Sequence, residues 1–167
     1  MPGANSIEDI YVSHHGWLQG WLRHRLKNAE DAADLAQDTF VRVMQRRQLQ
    51  AICEPRPYLR TIARGLVIDL WRHRDIERAW LETLAQLPEA HVPSPEISSL
   101  AIEALVAIDR LLDELPERAR TAFLMAKLDG MSCPQIAERL AVSLATVERD
   151  IAKALRHCYR LEFEDSQ

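Results

Sequence analysis

Apolar positions recur at three- and four-residue intervals along most of the chain, and this periodicity predicts an all-α protein. Ile10, Trp17, Leu18, Trp21, Leu22 and Leu26 share one side of a first helix. Asn28 can cap a second, whose apolar positions Ala32, Leu35, Ala36, Val43 and Met44 keep near one face. Pro55 and Pro57 mark a break before a third helix. Its stripe is Leu59, Ile62, Ala63, Leu66, Val67, Leu70 and Trp71, and the pattern continues towards Leu84. Alternation of β-branched residues is nearly absent.

Between Leu87 and Ser99 the helical stripe disappears. The run LPEAHVPSPEISS holds three prolines and three serines, and is expected to be an extended acidic linker between two small helical domains. The expected division is therefore residues 1–86, a linker over 87–99, and residues 100–167. Helical spacing resumes at Leu100 and passes through Leu105, Ile108, Leu111 and Leu112. Pro116 is placed to start a further helix carrying Phe123, Leu124 and Leu128, and Asp129-Gly130 to end it in a left-handed turn.

Residues 131–159, MSCPQIAERLAVSLATVERDIAKALRHCY, read as a helix-turn-helix. Ser132 and Gln135 form an S-x-x-Q capping box for a short helix that turns Ile136, Ala137 and Leu140 inward. Ala141-Val142-Ser143 makes the turn, with alanine where such turns usually carry glycine, and Ser143 caps the second helix. Val147, Ile151 and Leu155 give that helix its buried face, while Ala145, Thr146, Glu148, Arg149, Lys153 and Arg156 stand opposite. A major groove accepts one helix, so its first two turns can meet base edges and its later cations phosphates. A plain helical hairpin with a solvated charged face has the same outline.

The net charge of −4 argues against a polyanionic partner until its distribution is considered. Asn28 to Asp38 carries Glu30, Asp31, Asp34 and Asp38 with no basic residue. Arg56 to Arg78 carries six arginines against Asp69, Asp75 and Glu77. Glu82 to Glu117 holds eight acids against Arg110 alone. Local rather than total charge decides whether a face attracts DNA. Cys53, Cys133 and Cys158 are too scattered for a disulfide framework or a zinc site, and reduced thiols are expected. No apolar run is long enough to span a membrane, and Met1 to Asp9 lacks the basic start and apolar core of a secretory signal, so a cytoplasmic protein is expected. Neither H-E-x-x-H, a di-iron E-x-x-H pair nor a glycine-rich phosphate loop occurs. His14-His15 would point in two directions on a helix. Catalytic residues, metal ligands and cofactors are therefore not expected.

The run LPERARTAFLMAKLDGMSCPQIAERLAVSLATVERDIAKAL resembles the promoter minus-35-reading domain, region 4, of extracytoplasmic-function sigma factors. NAEDAADLAQDTFVRVMQ resembles their region 2.2, and PRPYLRTIARGLVIDLWRHRD their regions 2.3 and 2.4. The resemblance as a whole spans Ile10 to Tyr159 in the family's order, and W-L-E-T-L-A-Q-L-P-E-A with L-D-G-M-S is similar to the iron-citrate-uptake subgroup. The resemblance implies core RNA polymerase as partner, through its β′ clamp helices and β flap, with promoter DNA and an inner-membrane anti-sigma regulator. Asp34, Gln37 and Asp38 occupy the clamp-docking positions and share one helix face. Glu30 and Asp31 instead fit the positive start of their own helix. Tyr58, Arg60, Arg64 and Arg72 fall where the minus-10 element is held, the tyrosine to stack on a base and the arginines to meet phosphates. The loop Arg47 to Arg56 corresponds to the segment that captures a flipped base. Minus-35 contacts fall on Ser143, Ala145, Thr146, Glu148, Arg149, Lys153 and Arg156. Gly65 departs from the asparagine common in the family, and Thr61-Ile62 replaces the two tryptophans of primary sigma factors. Trp71, like Trp17, Trp21 and Trp80, is assigned to the core.

Two other readings stay open on the residues alone. A helix-turn-helix activator would share the C-terminal motif, although the alternating strands and helices of a receiver are missing before residue 100. A helical adaptor that binds only protein would show no salt-sensitive affinity for DNA.

Overall fold

The computed structural model describes residues 7–45, 52 and 54–164, with the backbone alone over 161–164. Among them are seven α-helices and no strand: α1 Ile7–Leu26, α2 Ala29–Gln45, α3 Pro55–Leu84, α4 Pro95–Asp113, α5 Glu117–Lys127, α6 Cys133–Leu140 and α7 Leu144–Glu164. The chain divides into two compact units, residues 1–82 and 83–167.

In the first unit, α1 and α2 form a hairpin over a two-residue turn. Lys27 takes the left-handed conformation at φ 55°, and the Asn28 side chain accepts the amides of Glu30 and Asp31 at 2.9 and 3.2 Å. Those bonds satisfy amides that the first turn of a helix leaves open. The core joins Leu18 and Leu22 of α1, Ala32, Ala36 and Val43 of α2, and Leu59, Ala63 and Val67 of α3. Thr39 is buried among them because its hydroxyl donates to the Leu35 carbonyl at 2.7 Å. Arg74 of α3 reaches Asp31 of α2 at 2.7 Å, which ties the two helices beyond the apolar core.

In the second unit α4 begins at Pro95, inside the stretch expected to be extended. Ser94 accepts the Ile97 amide at 3.3 Å, and Pro95 occupies the first turn, where its missing N–H costs nothing. Its own backbone amide first, and then the Ser94 hydroxyl, hold the exposed Glu96 carboxyl below the usual carboxylate range. The unit has two small cores. One gathers Ala122, Ile136, Ala137 and Val147, and the other Leu112, Leu115 and Ala154. Arg120 of α5 pairs with Asp109 at 2.8 Å and with Asp113, both on α4. His157 of α7 bonds the Leu111 carbonyl at 3.1 Å.

Several apolar residues expected inside lie at the surface. Met44 is 52% exposed, and Phe40 takes the buried place beside Val43. On α4 the buried face is Ile102, Val106 and Leu112, leaving Leu100, Leu105 and Ile108 outside. Leu128 lies beyond the end of α5 and is also exposed. Trp71 is 43% exposed and is no core residue, because the packed face of α3 ends with the Leu66–Val67–Leu70 turn.

Candidate nucleic-acid interface

The helix-turn-helix is built by local signals that agree with one another. At the start of α6 the Gln135 side chain receives the Ser132 N–H at 2.8 Å and its hydroxyl at 3.0 Å, giving the expected capping box. Its end closes in a Schellman turn: Ala141 is left-handed at φ 54°, the Val142 amide reaches the Ala137 carbonyl at 3.0 Å, and the Ala141 amide reaches Glu138 at 3.2 Å. Gly130 is also left-handed, at φ 63°, in the wider turn before α6, where the Met131 amide donates to the Met125 carbonyl at 3.1 Å. Ser143 then caps α7, accepting the Thr146 amide at 3.2 Å.

Val147 and Ala154 of α7 are fully buried, and Ile151 and Leu155 are half-buried beside them. The opposite face carries Ala145, Glu148, Arg149, Lys153 and Arg156, all exposed with Ser143, while Thr146 is half-buried. Arg160, one turn beyond Arg156 and exposed on the same face, extends this basic stripe; its four-residue spacing made it visible in the sequence. Arg149 leans back over its own first turn, donating to the Ala145 carbonyl and the Thr146 hydroxyl at 3.3 Å each. Asp150, the neighbouring acid, is held by Arg118 of α5 at 2.6 Å. That ion pair raises the Arg118 pKa further above its already high ordinary value.

A second cationic surface lies on α3. Arg64 is exposed on the side away from the core. Arg60 is exposed too, and its guanidinium, like that of Arg56, sits over the Trp17 ring, at 5.6 and 5.2 Å from its centre. Arg72 differs: it is paired with Asp69 at 3.2 Å and its side chain is only 13% exposed, so much of its charge is answered within the helix. Tyr58 is half-buried against the core of its unit, which leaves part of its ring outside. Ile62 is buried, and the Thr61 hydroxyl bonds the Pro57 carbonyl at 2.9 Å. Gly65 is exposed, with open space where a Cβ would sit. Of the segment 47–56, residues 47–51 and 53 lie outside the described residues.

The third surface is acidic. Asp34, Gln37 and Asp38 are all exposed on α2, whereas Asp31 is turned to Arg74. Gln37 also borders a groove of about 480 Å³ lined by Tyr11, Val12, Phe40, Val41 and Met44. Among the described residues no cluster of His, Cys, Asp and Glu could hold a metal ion, and no helix is long and apolar enough to cross a membrane. Cys133 and Cys158 are free thiols, and Cys53 is outside the described residues.

Residues 10–76 match the family described as Sigma-70 region 2, and residues 105–158 match Sigma-70, region 4. Over 160 residues the chain is 45% identical to the ferric citrate uptake sigma factor FecI of Escherichia coli, covering 95% of this chain and 92% of that protein. The chain is an extracytoplasmic-function sigma factor of the sigma-70 family. It is 32% identical over 146 residues to the ECF RNA polymerase sigma factor SigE of Mycolicibacterium smegmatis, covering 86% of this chain and 56% of that one. It is 28% identical over 158 residues to the RNA polymerase sigma factor YlaC of Bacillus subtilis, covering 92% and 90%. As a sigma factor, the chain directs RNA polymerase to promoters. Region 2 of the factor takes in the acidic face of α2 and the arginine face of α3, and region 4 takes in the helix-turn-helix. Membership excludes the receiver-linked activator and the adaptor that binds only protein.

Proposed function

We propose that this sigma factor brings core RNA polymerase to promoters of iron-uptake genes, ferric citrate or another ferric-siderophore system among them. Asp34, Gln37 and Asp38 dock on the β′ clamp helices, where a face with two carboxylates at i and i+4 suits pairing with arginines. Region 4 docks on the β flap and sets α7 in the major groove of the minus-35 element. Ser143, Ala145, Thr146, Glu148 and Arg149 meet base edges there, and Lys153 and Arg156 meet phosphates. On α3, Arg60, Arg64 and the more enclosed Arg72 follow the minus-10 phosphates, and Tyr58 supports an unstacked base. The protein acts in the cytoplasm without catalysis of its own, and an inner-membrane regulator withholds it until a signal arrives.

One observation carries this reading: the three charged surfaces lie on elements inside the two matched regions, each facing away from its own core. The overall charge of −4 adds that the isolated factor should approach DNA poorly and need the polymerase to engage it. Genomic fragments enriched by holoenzyme reconstituted from core polymerase and this chain test it. The expected result is promoters upstream of iron-transport genes, silent with core alone. Enrichment of fragments unrelated to metal uptake would overturn the assignment of the genes, and no initiation at any fragment would overturn the docking.

A further inference from the structure

The exposed face of α3 is not uniformly polar. Ile68 and Trp71 stand 47% and 43% exposed, one and two turns beyond Arg64, and helical spacing puts them with Arg60 and Arg64 along one side of α3, next to the Val67 edge of the buried stripe Leu59, Ile62, Ala63, Leu66 and Val67. Phosphates have no use for an indole. A partly exposed aromatic in line with arginines fits a strand that brings both a charged backbone and a bare base. From Arg60 to Trp71 the helix rises about 16 Å, roughly five base steps at about 3.4 Å each. The guanidinium of Arg60, stacked on Trp17, starts that track at a fixed place.

We propose that Trp71, backed by Ile68, is the stacking platform for an unpaired base at the end of the opened minus-10 strand, with Arg60 and Arg64 holding the phosphates that lead to it. The inference rests on the reading of α3 as the minus-10 surface, and gives that surface a residue that selects opened over duplex DNA. Any base offers a π-face, so the platform adds affinity for the open strand without adding sequence preference.

Holoenzymes carrying Trp71→Ala, Trp71→Leu, Trp71→Phe and Arg64→Ala decide it. Each is titrated with a single-stranded minus-10 oligonucleotide bearing 2-aminopurine at successive positions, and with a duplex fragment ending at the minus-35 element. The expected result is a loss of about tenfold or more in oligonucleotide affinity for the alanine and leucine variants, with phenylalanine within about threefold of the parent. One 2-aminopurine position should be quenched in the parent and bright in Trp71→Leu, which keeps the apolar bulk should alanine disturb the helix. Duplex binding should be unchanged in all four. If Arg64→Ala weakens the oligonucleotide while Trp71→Leu does not, the platform is refuted and the minus-10 surface stands. Should neither change matter, the reading of α3 itself fails. If Trp71→Leu instead loses core polymerase, the tryptophan meets a protein and the platform is refuted.

Discussion

The third and seventh helices both present arginines on a face turned from the core, yet they hold their charge differently. On α3, Arg72, Arg74 and Arg78 are paired with Asp69, Asp31 and Asp75, and Arg56 and Arg60 lie over Trp17. Of the six arginines between residues 56 and 78, Arg64 is the one with neither arrangement among the described residues. On α7 Asp150 is drawn away to α5 while Glu148 stays exposed beside Arg149, and Arg149 bonds uncharged acceptors in its own first turn. Counting cations in a sequence therefore overstates what α3 can give to DNA and describes α7 fairly. The acids of α2 divide in the same way, Asp31 engaged and Asp34 and Asp38 outward.

The largest effect should come from those outward acids. Asp34→Arg with Asp38→Arg should abolish retention of core polymerase in a pull-down while leaving helical circular dichroism unchanged, since exposed substitutions usually shift stability by less than about 0.5 kcal/mol. Retention of polymerase by the double variant would place the docking face elsewhere. Next, Arg149→Ala should cost about 1–3 kcal/mol on the preferred promoter and relax preference at one minus-35 position. Arg72→Ala should change minus-10 affinity by less than half as much as Arg64→Ala, because its charge is already answered by Asp69. Equal losses from Arg72 and Arg64 in holoenzyme binding would erase the distinction drawn between paired and outward arginines. Smaller again, Lys153→Ala should weaken all promoters alike and lower the slope of log affinity against log salt by about one unit. Last, Ala141→Gly should stabilise the protein by about 1 kcal/mol, since alanine bears a Cβ in a left-handed turn. Thermal denaturation with a midpoint lower than the parent's would contradict it.

Elements whose ends are written in neighbouring residues were legible from the sequence. Asn28, Ser132 with Gln135, Ser143 and Gly130 each do what their local chemistry dictates. Pro95 was misleading because proline-rich composition suggested an extended chain, although Ser94-Pro95-Glu96 is itself a helix start. Faces were less legible than ends. Periodicity says which residues share a side, but Trp71, Met44 and Ile108 are 43–52% exposed because the described residues of their own unit do not cover them fully. Partners distant in the chain were not legible at all: the 43-residue separation of Asp31 and Arg74 leaves no local trace, whereas Arg72 and Asp69 stand at i and i+3.

The clasp between Arg118 and Asp150 reaches further than its geometry. A free Asp150 carboxylate next to the proposed reading arginine would both compete for that guanidinium and push against phosphate, and Arg118 engages it from α5, outside the helix proposed to enter the groove. Under the role proposed for Arg149, promoter recognition is partly encoded in a residue 31 positions upstream of it in the chain. A genetic selection for altered promoter choice should return changes at Arg118 alongside those in α7, and such second-site variants would be misfiled as folding defects by anyone scanning only the recognition helix.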